Sequence, residues 1–195
     1  MGWDESLAQL RMVWPASRVA CPPTVELPAE YVLREYAPAD DERRFYEIMD
    51  LAGWPGWDGG RLRPTLSKVI PRGWFVVASR DTDIAVGTAM CLHNYKRVTP
   101  FWGNLGWLAC DPAHSGRGIG KALTAAVVSR FIEAGYEKID LYSEDFRLAA
   151  LKTYLRVGFH PLLYADDMSG RWEDICRRIG WPFSPETWPS ATGHG

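Results

Sequence analysis

The chain has 195 residues, 47% hydrophobic and 24% charged, enough for one well-buried domain with little room for a second. A formal net charge of −2 supplies no global field toward nucleic acid or a membrane surface, and no run approaches the roughly 18 apolar residues of a membrane span. Cys21, Cys91, Cys110 and Cys176 are irregularly spaced, with no C-x-x-C pair or Cys/His cluster, so neither a metal site nor a disulfide framework is expected. Reduced thiols, and a start that lacks the basic and apolar regions of a signal peptide, point to the cytoplasm.

Trp3, Leu7, Leu10 and Trp14 fall at helical spacing, which predicts a short helix ahead of a proline-rich stretch; residues 1–28 read as an N-terminal arm. A first strand follows over 31–36. Asp40 or Asp41 is placed to cap a helix carrying Phe45, Ile48, Met49 and Leu51. A Gly-Trp-Pro-Gly-Trp loop (53–57) leads to a second short helix over 62–70, ending at Pro71. Strands are expected over 74–78 and 84–93, with a turn at 81–83. The strand ending at Cys110 is apolar almost throughout, as when both faces are covered. The next helix, from about Gly118 to Gly135, carries Ile119, Leu123, Ala126, Val127 and Phe131 on one face. A strand over 138–142 then implies a right-handed parallel crossover. Asp145 is placed to cap a helix that buries Leu148, Leu151 and Leu155, and a last strand covers 159–164. Residues 171–179 read as a helix, followed by an aromatic coil with Trp181, Phe183 and Trp188.

The stretch 105–123 is the most informative. Glycines at 116, 118 and 120 let a ligand approach the backbone. The helix that starts among them points unpaired N–H groups at whatever the loop encircles, so the stretch reads as a phosphate cradle. Arg117 and Lys121 add positive charge. Spacing excludes two common cradles. A Walker loop needs four residues between its first glycine and Gly-Lys, then Ser or Thr; here three residues separate Gly116 from Gly120, and Ala122 follows Lys121. A G-x-G-x-x-G frame fails from either Gly116 or Gly118.

Ser115-Gly116-Arg117-Gly118-Ile119-Gly120 resembles motif A of the GCN5-related N-acetyltransferase (GNAT) family, Arg/Gln-x-x-Gly-x-Gly/Ala, with Ser115 in place of the first residue. Downstream, Ala150, Leu151, Tyr154, Val157, Gly158 and Phe159 match that family's motif B helix, with Arg147 in place of its Asn. The resemblance covers about residues 30–164. It implies an α/β (α+β mixed sheet) fold: a mostly antiparallel central sheet with one parallel, splayed strand pair, flanked by helices. The domain is expected over 29–165, with 166–195 as a tail packing on it or on a partner. A seventh strand, usual in the family after the sixth, is replaced here by the 171–179 helix.

The same resemblance implies acetyl-CoA as cofactor, lying between the splayed strands. Trp107, Leu108, Ala109 and Cys110 would contact its pantetheine arm through their backbone. Ser115, Gly116, Arg117, Gly118, Ile119, Gly120 and Lys121 would surround its pyrophosphate. The Leu108 N–H would stabilise an oxyanion. Tyr154 would place its hydroxyl near the leaving sulfur, and a phenol with an ordinary pKa of about 10 keeps a proton to donate. Arg147 would bind cofactor oxygens or pair with Glu144. The family often uses an acid on its fourth strand, but 102–109 contains none. Glu144, Asp145 and His93 stay open as bases, each with an ordinary structural alternative. Cys110 reads as a buried cysteine rather than a nucleophile. Trp54, Trp57 and Trp102 are candidates to line an acceptor pocket by packing and cation–π attraction.

The resemblance implies an acetyltransferase acting directly on a small-molecule or peptide amine. Two rivals stand beside it: an acyl-CoA-binding module without turnover, and a relative of the mycothiol synthases, which usually carry two such domains. The aromatic tail leaves room for a homodimer.

Overall fold

A computed structural model describes residues 8–97 and 99–190. Among them, seven strands form one sheet: β1 (Leu10–Val13), β2 (Tyr31–Glu35), β3 (Val69–Ser79), β4 (Ala85–His93), β5 (Trp102–Cys110), β6 (Lys138–Ser143) and β7 (His160–Pro161). Helices α1 (Pro38–Leu51), α2 (Gly59–Leu66), α3 (Ile119–Glu133), α4 (Leu148–Val157) and α5 (Met168–Ile179) cover it. The sheet order is β2-β3-β4-β5-β6-β1-β7, and only β5 and β6 pair in parallel.

That parallel pair opens into a fork. Its register runs from Trp102↔Lys138 to Leu105↔Leu141 and stops, although β5 continues to Cys110 and β6 to Ser143. On the other edge of β5, Met90 faces Gly106 and Thr88 faces Ala109, so Trp107 and Leu108 together oppose Ala89. Trp107 has φ +52°. This two-against-one arrangement is a β-bulge, a device that bends a strand and re-aims its side chains beside functional sites.

Helices lie on both faces. Phe45, Ile48, Trp57 and Leu62 of the first two helices and their connection pack with Trp74 and Met90. On the opposite face Val127 and Phe131 of α3, Leu151 of α4 and Trp172 of α5 join one larger core. Gly103 lets α3 come close: a Cβ there would sit 2.6 Å from the Phe131 ring.

The ends of the chain depart most from expectation. The segment read as a helical arm contains strand β1, antiparallel to both β6 and β7. Leu10 and Met12 are fully buried and alternate with less buried neighbours, so a period of two governs where i, i+4 spacing suggested a helix. Trp3 and Leu7 of that reading lie outside the described residues. The sheet thus takes its seventh strand from the start of the chain. At the other end, α5 buries Trp172, Ile175, Cys176 and Ile179, and Trp181, Phe183 and Trp188 pack against the same core. These tail aromatics, whose surface suggested a homodimer, are partly buried.

Smaller corrections have local causes. Helix α1 begins at Pro38, whose fixed φ suits a first turn. Asp41 lies inside it, accepts the Ala37 N–H (2.8 Å) and pairs with Arg34 (2.6 Å). Asp58 caps α2 by accepting the Arg61 N–H (2.9 Å), so that helix starts earlier than expected and Ile70 and Pro71 belong to β3. Asp145 caps nothing; it grips Arg171 of α5 through both oxygens (2.5 and 2.9 Å). The last strand shrinks to two residues.

Candidate functional site

Two cavities, of about 590 and 420 Å³, adjoin along the open side of β5, sharing Trp54, Leu108, Arg147, Ala149 and Ala150. The smaller lies against the glycine loop and the start of α3; the larger lies between β5, the end of β6 and α4.

Ala109, Cys110, Ser115, Gly116, Gly118, Ile119, Gly120 and Lys121 all line the smaller cavity. Asp111 shapes the turn before the loop by accepting the Ala113 N–H (2.9 Å) and pairing with Arg44. Gly116 and Gly118 have φ of +76° and +79°, the left-handed region that an L side chain strains to adopt. A Cβ on either meets nothing within 4 Å, so a side chain there would occupy the cavity itself. The first helical bond of α3 runs from Ala122 N–H to Gly118 O (3.0 Å), which leaves the Ile119, Gly120 and Lys121 amides without intrahelical partners. Arg156 faces the same space. Arg117 does not: it is exposed, 3.9 Å from Glu30. Lys121 is tied to Glu26 (2.6 Å), and this bond holds the Glu26 carboxyl below its ordinary range. The cradle fits a pyrophosphate through backbone donors and basic side chains.

At the junction, Arg147 spans the gap. Its Nε donates to Glu144 (2.6 Å), its Nη1 donates to the Ala52 carbonyl (3.2 Å), and its guanidinium lies 3.7 Å from the Trp54 ring centroid. Pairing with Glu144 is therefore present, and Arg147 also lines both cavities.

The larger cavity is lined by polar groups from distant segments. Glu144 also accepts from Gln9 Nε2 (2.7 Å), and Gln9 Oε1 accepts from Lys96 (2.8 Å). Tyr95, Asn104, Tyr142 and Arg61 contribute, with Trp107, Leu108 and Tyr154. Tyr154 is 5% exposed; burial pushes its phenol well above the ordinary value, with Arg147 opposing. The acid absent from β5 has a neighbour instead. Asn104 donates to Asp140 (2.7 Å), its register partner on β6, and Arg11 also binds Asp140 (2.6 Å). Burial raises the Asp140 pKa against both partners.

Other expected residues fall elsewhere. Trp57 is 6% exposed and packs edge-on against Phe45 and Trp107. Trp102 lies under Arg11, 4.5 Å from its guanidinium. Neither lines the two cavities; of the three tryptophans only Trp54 does. His93 bonds Tyr136 (2.8 Å), and Asp145 is held by Arg171, so Glu144 is the one candidate base in the cavity. Burial pushes the Cys110 thiol up to about 12, so it stays protonated. His114 lines the smaller cavity and bonds Tyr31 (2.8 Å). Gln9, Arg61, Tyr95 and Tyr142 had no sequence signal, since no local motif marks a lone polar residue as lining. Among the described residues no cluster of His, Cys, Asp and Glu is arranged as metal ligands, and no helix is long and apolar enough to cross a membrane.

The family described as Acetyltransferase (GNAT) family matches residues 30–159. A mycothiol acetyltransferase of Nocardia farcinica is 30% identical over 165 residues, 80% of this chain and 54% of that protein. Its counterpart in Rhodococcus erythropolis is 28% identical over 162 residues, 78% of this chain and 53% of that protein. The chain spans about half the length of these relatives. A solved structure of a GCN5-related N-acetyltransferase from Sphaerobacter thermophilus aligns with TM-score 0.60 and 26% identity, over 79% of this chain and 49% of that one.

Proposed function

This chain belongs to the GNAT acetyltransferase family, enzymes that take their acetyl group from acetyl-CoA, and on that premise we propose that it acetylates a primary amine by direct transfer. The observation that carries this reading is the position of Leu108: it lines both cavities, with Tyr154 beside it in the larger. The smaller cavity is the cofactor end and the larger the acceptor end.

Acetyl-CoA supplies an activated thioester. The Ile119, Gly120 and Lys121 amides hold its pyrophosphate, with Lys121 and Arg156 adding charge. The backbone of 107–110 holds the pantetheine arm, and the bulge frees the Leu108 N–H from either strand register to meet an oxyanion. An acceptor amine with a lysine-like pKa is neutral in roughly one molecule in 10³ at pH 7. Glu144 accepts its proton. As the nitrogen–carbon bond forms and the carbon–sulfur bond breaks, the Tyr154 hydroxyl donates a proton to sulfur. Its raised pKa keeps that proton in place until the thiolate, a stronger base, develops. With Glu144 in the cavity, the empty acid position on β5 no longer favours a module that only binds.

We assign 29–165 as the acetyltransferase unit, with β1 from the preceding arm completing its sheet and α5 from the tail closing its core. Four free cysteines and dependence on acetyl-CoA fit the cytoplasm. A second reading, acylation of a thiol-metabolite precursor, is supported by the mycothiol acetyltransferase relatives. The hydrogen-bonding groups of Gln9, Tyr95, Asn104 and Tyr142 also suit an oxygen-rich amine.

Thiol release from acetyl-CoA, measured against simple amines, amino acids and amino sugars, tests the proposal. Release with at least one class is expected, and release with none would overturn it.

A further inference from the structure

We infer that the acceptor carries a carboxylate as well as its amine, and that Arg61 binds that carboxylate. This deepens the amine-acetylation reading and rests on it.

Three charged side chains line the acceptor cavity: Arg61, Arg147 and Glu144. Glu144 and Arg147 neutralise one another at 2.6 Å. Arg61 has no carboxylate within 4.0 Å among the described residues, so the cavity carries an excess positive charge. A simple alkylammonium would be repelled by that charge, and an acceptor with an acidic group would be drawn in.

The Arg61 guanidinium is also held in one orientation. It lies 4.5 Å from the Trp57 ring centroid and 5.6 Å from that of Trp107. Its Nη1 donates to the Pro55 carbonyl (3.1 Å). Its backbone is fixed by the Asp58 cap. One bond at Nη1 leaves the Nε–Nη2 edge open, two parallel donors in one plane, which matches the two oxygens of a carboxylate. Stacking on an aromatic face lowers the entropy lost when such a pair forms. Glu144, the proton acceptor, stands in the same cavity. One unpaired cation and one proton acceptor in a single chamber fit an acceptor that carries a carboxylate beside its amine, so the substrate class is a free amino acid.

The experiment uses the homologous ω-amino acids from glycine to 5-aminopentanoate, each beside its carboxamide, with CoA release as readout. At the best chain length the acid should exceed its amide by about tenfold in kcat/KM, equivalent to one bidentate charged contact. The difference should lie in KM. Arg61→Gln should bring the ratio to about one, and Arg61→Lys should leave an intermediate value, because a point charge replaces the fork. The KM for acetyl-CoA in each variant reports that the fold is intact. Equal use of acid and amide at every length would overturn this inference and leave amine acetylation standing. So would a preference that persists in Arg61→Gln. Turnover of neither member of any pair, nor of any other amine, would overturn both.

Discussion

At the proposed cofactor end of the groove, much of the lining comes from one stretch, Leu108 through Lys121, and the decisive groups are backbone amides and the spaces left by glycines. At the proposed acceptor end the lining comes from Gln9, Trp54, Arg61, Tyr95, β5, the end of β6 and α4, and the decisive groups are side chains. The first end is a local structure that any sequence with the right turn and helix start would form. The second exists only because the sheet brings a residue from the start of the chain against residues more than a hundred positions later, as Gln9 meets Glu144. The two ends should therefore fail differently when mutated.

The largest effect is expected where they meet. Tyr154→Phe removes the proton donor and keeps the ring that packs on Phe159 (6.3 Å). Turnover should fall by about 10²-fold or more with both KM values little changed, in steady-state assays of CoA release. An unchanged kcat would remove Tyr154 from the mechanism.

Gly118→Val tests the cofactor end alone. The position has φ +79° and borders open cavity, so the variant meets both backbone strain and lost space. The KM for acetyl-CoA should rise at least about tenfold, equivalent to the 1–2 kcal/mol cost of a left-handed non-glycine residue. Calorimetric titration with CoA should show the same loss, and a change confined to the acceptor KM would contradict the division of the groove.

Gln9→Ala is the counterpart at the acceptor end. It removes the link between Lys96 and Glu144, worth about 1 kcal/mol. Acceptor KM should rise about fivefold while CoA titrations stay as in wild type. Movement of both together would mean that the cavities are not separable.

The smallest effect concerns Cys110, between the ends. Burial holds its thiol at about 12, whereas Cys21 is exposed. Alkylation at pH 8 followed by peptide mass analysis should mark Cys21 and spare Cys110, because the thiolate is the reactive form. Rapid labelling of Cys110 would reopen its reading as a nucleophile.

The cofactor end was legible in the sequence because short-range rules govern it. Three glycines and a helix start pointed to the cradle, and their resemblance to motif A, with Tyr154, Gly158 and Phe159 downstream as in motif B, implied the fold and the strand fork. The same rules misplaced Asp145 and Asp41, since each is a plausible cap and ion pairing with Arg171 or Arg34 decided otherwise. Trp57 and Trp102 were equally ambiguous, as an aromatic residue in a loop or at a strand end serves a core or a pocket with the same local pattern.

What the sequence determined by itself was the backbone machinery: the crossover of β5, α3 and β6, the αL glycines and the helix face carrying Tyr154, all set by periodicity and steric limits within a few residues. The tertiary structure alone decided which strand completes the sheet, and which carboxylate and which arginines line the larger cavity. Those outcomes depend on burial and on contacts between residues far apart in the chain, and no local pattern encodes them.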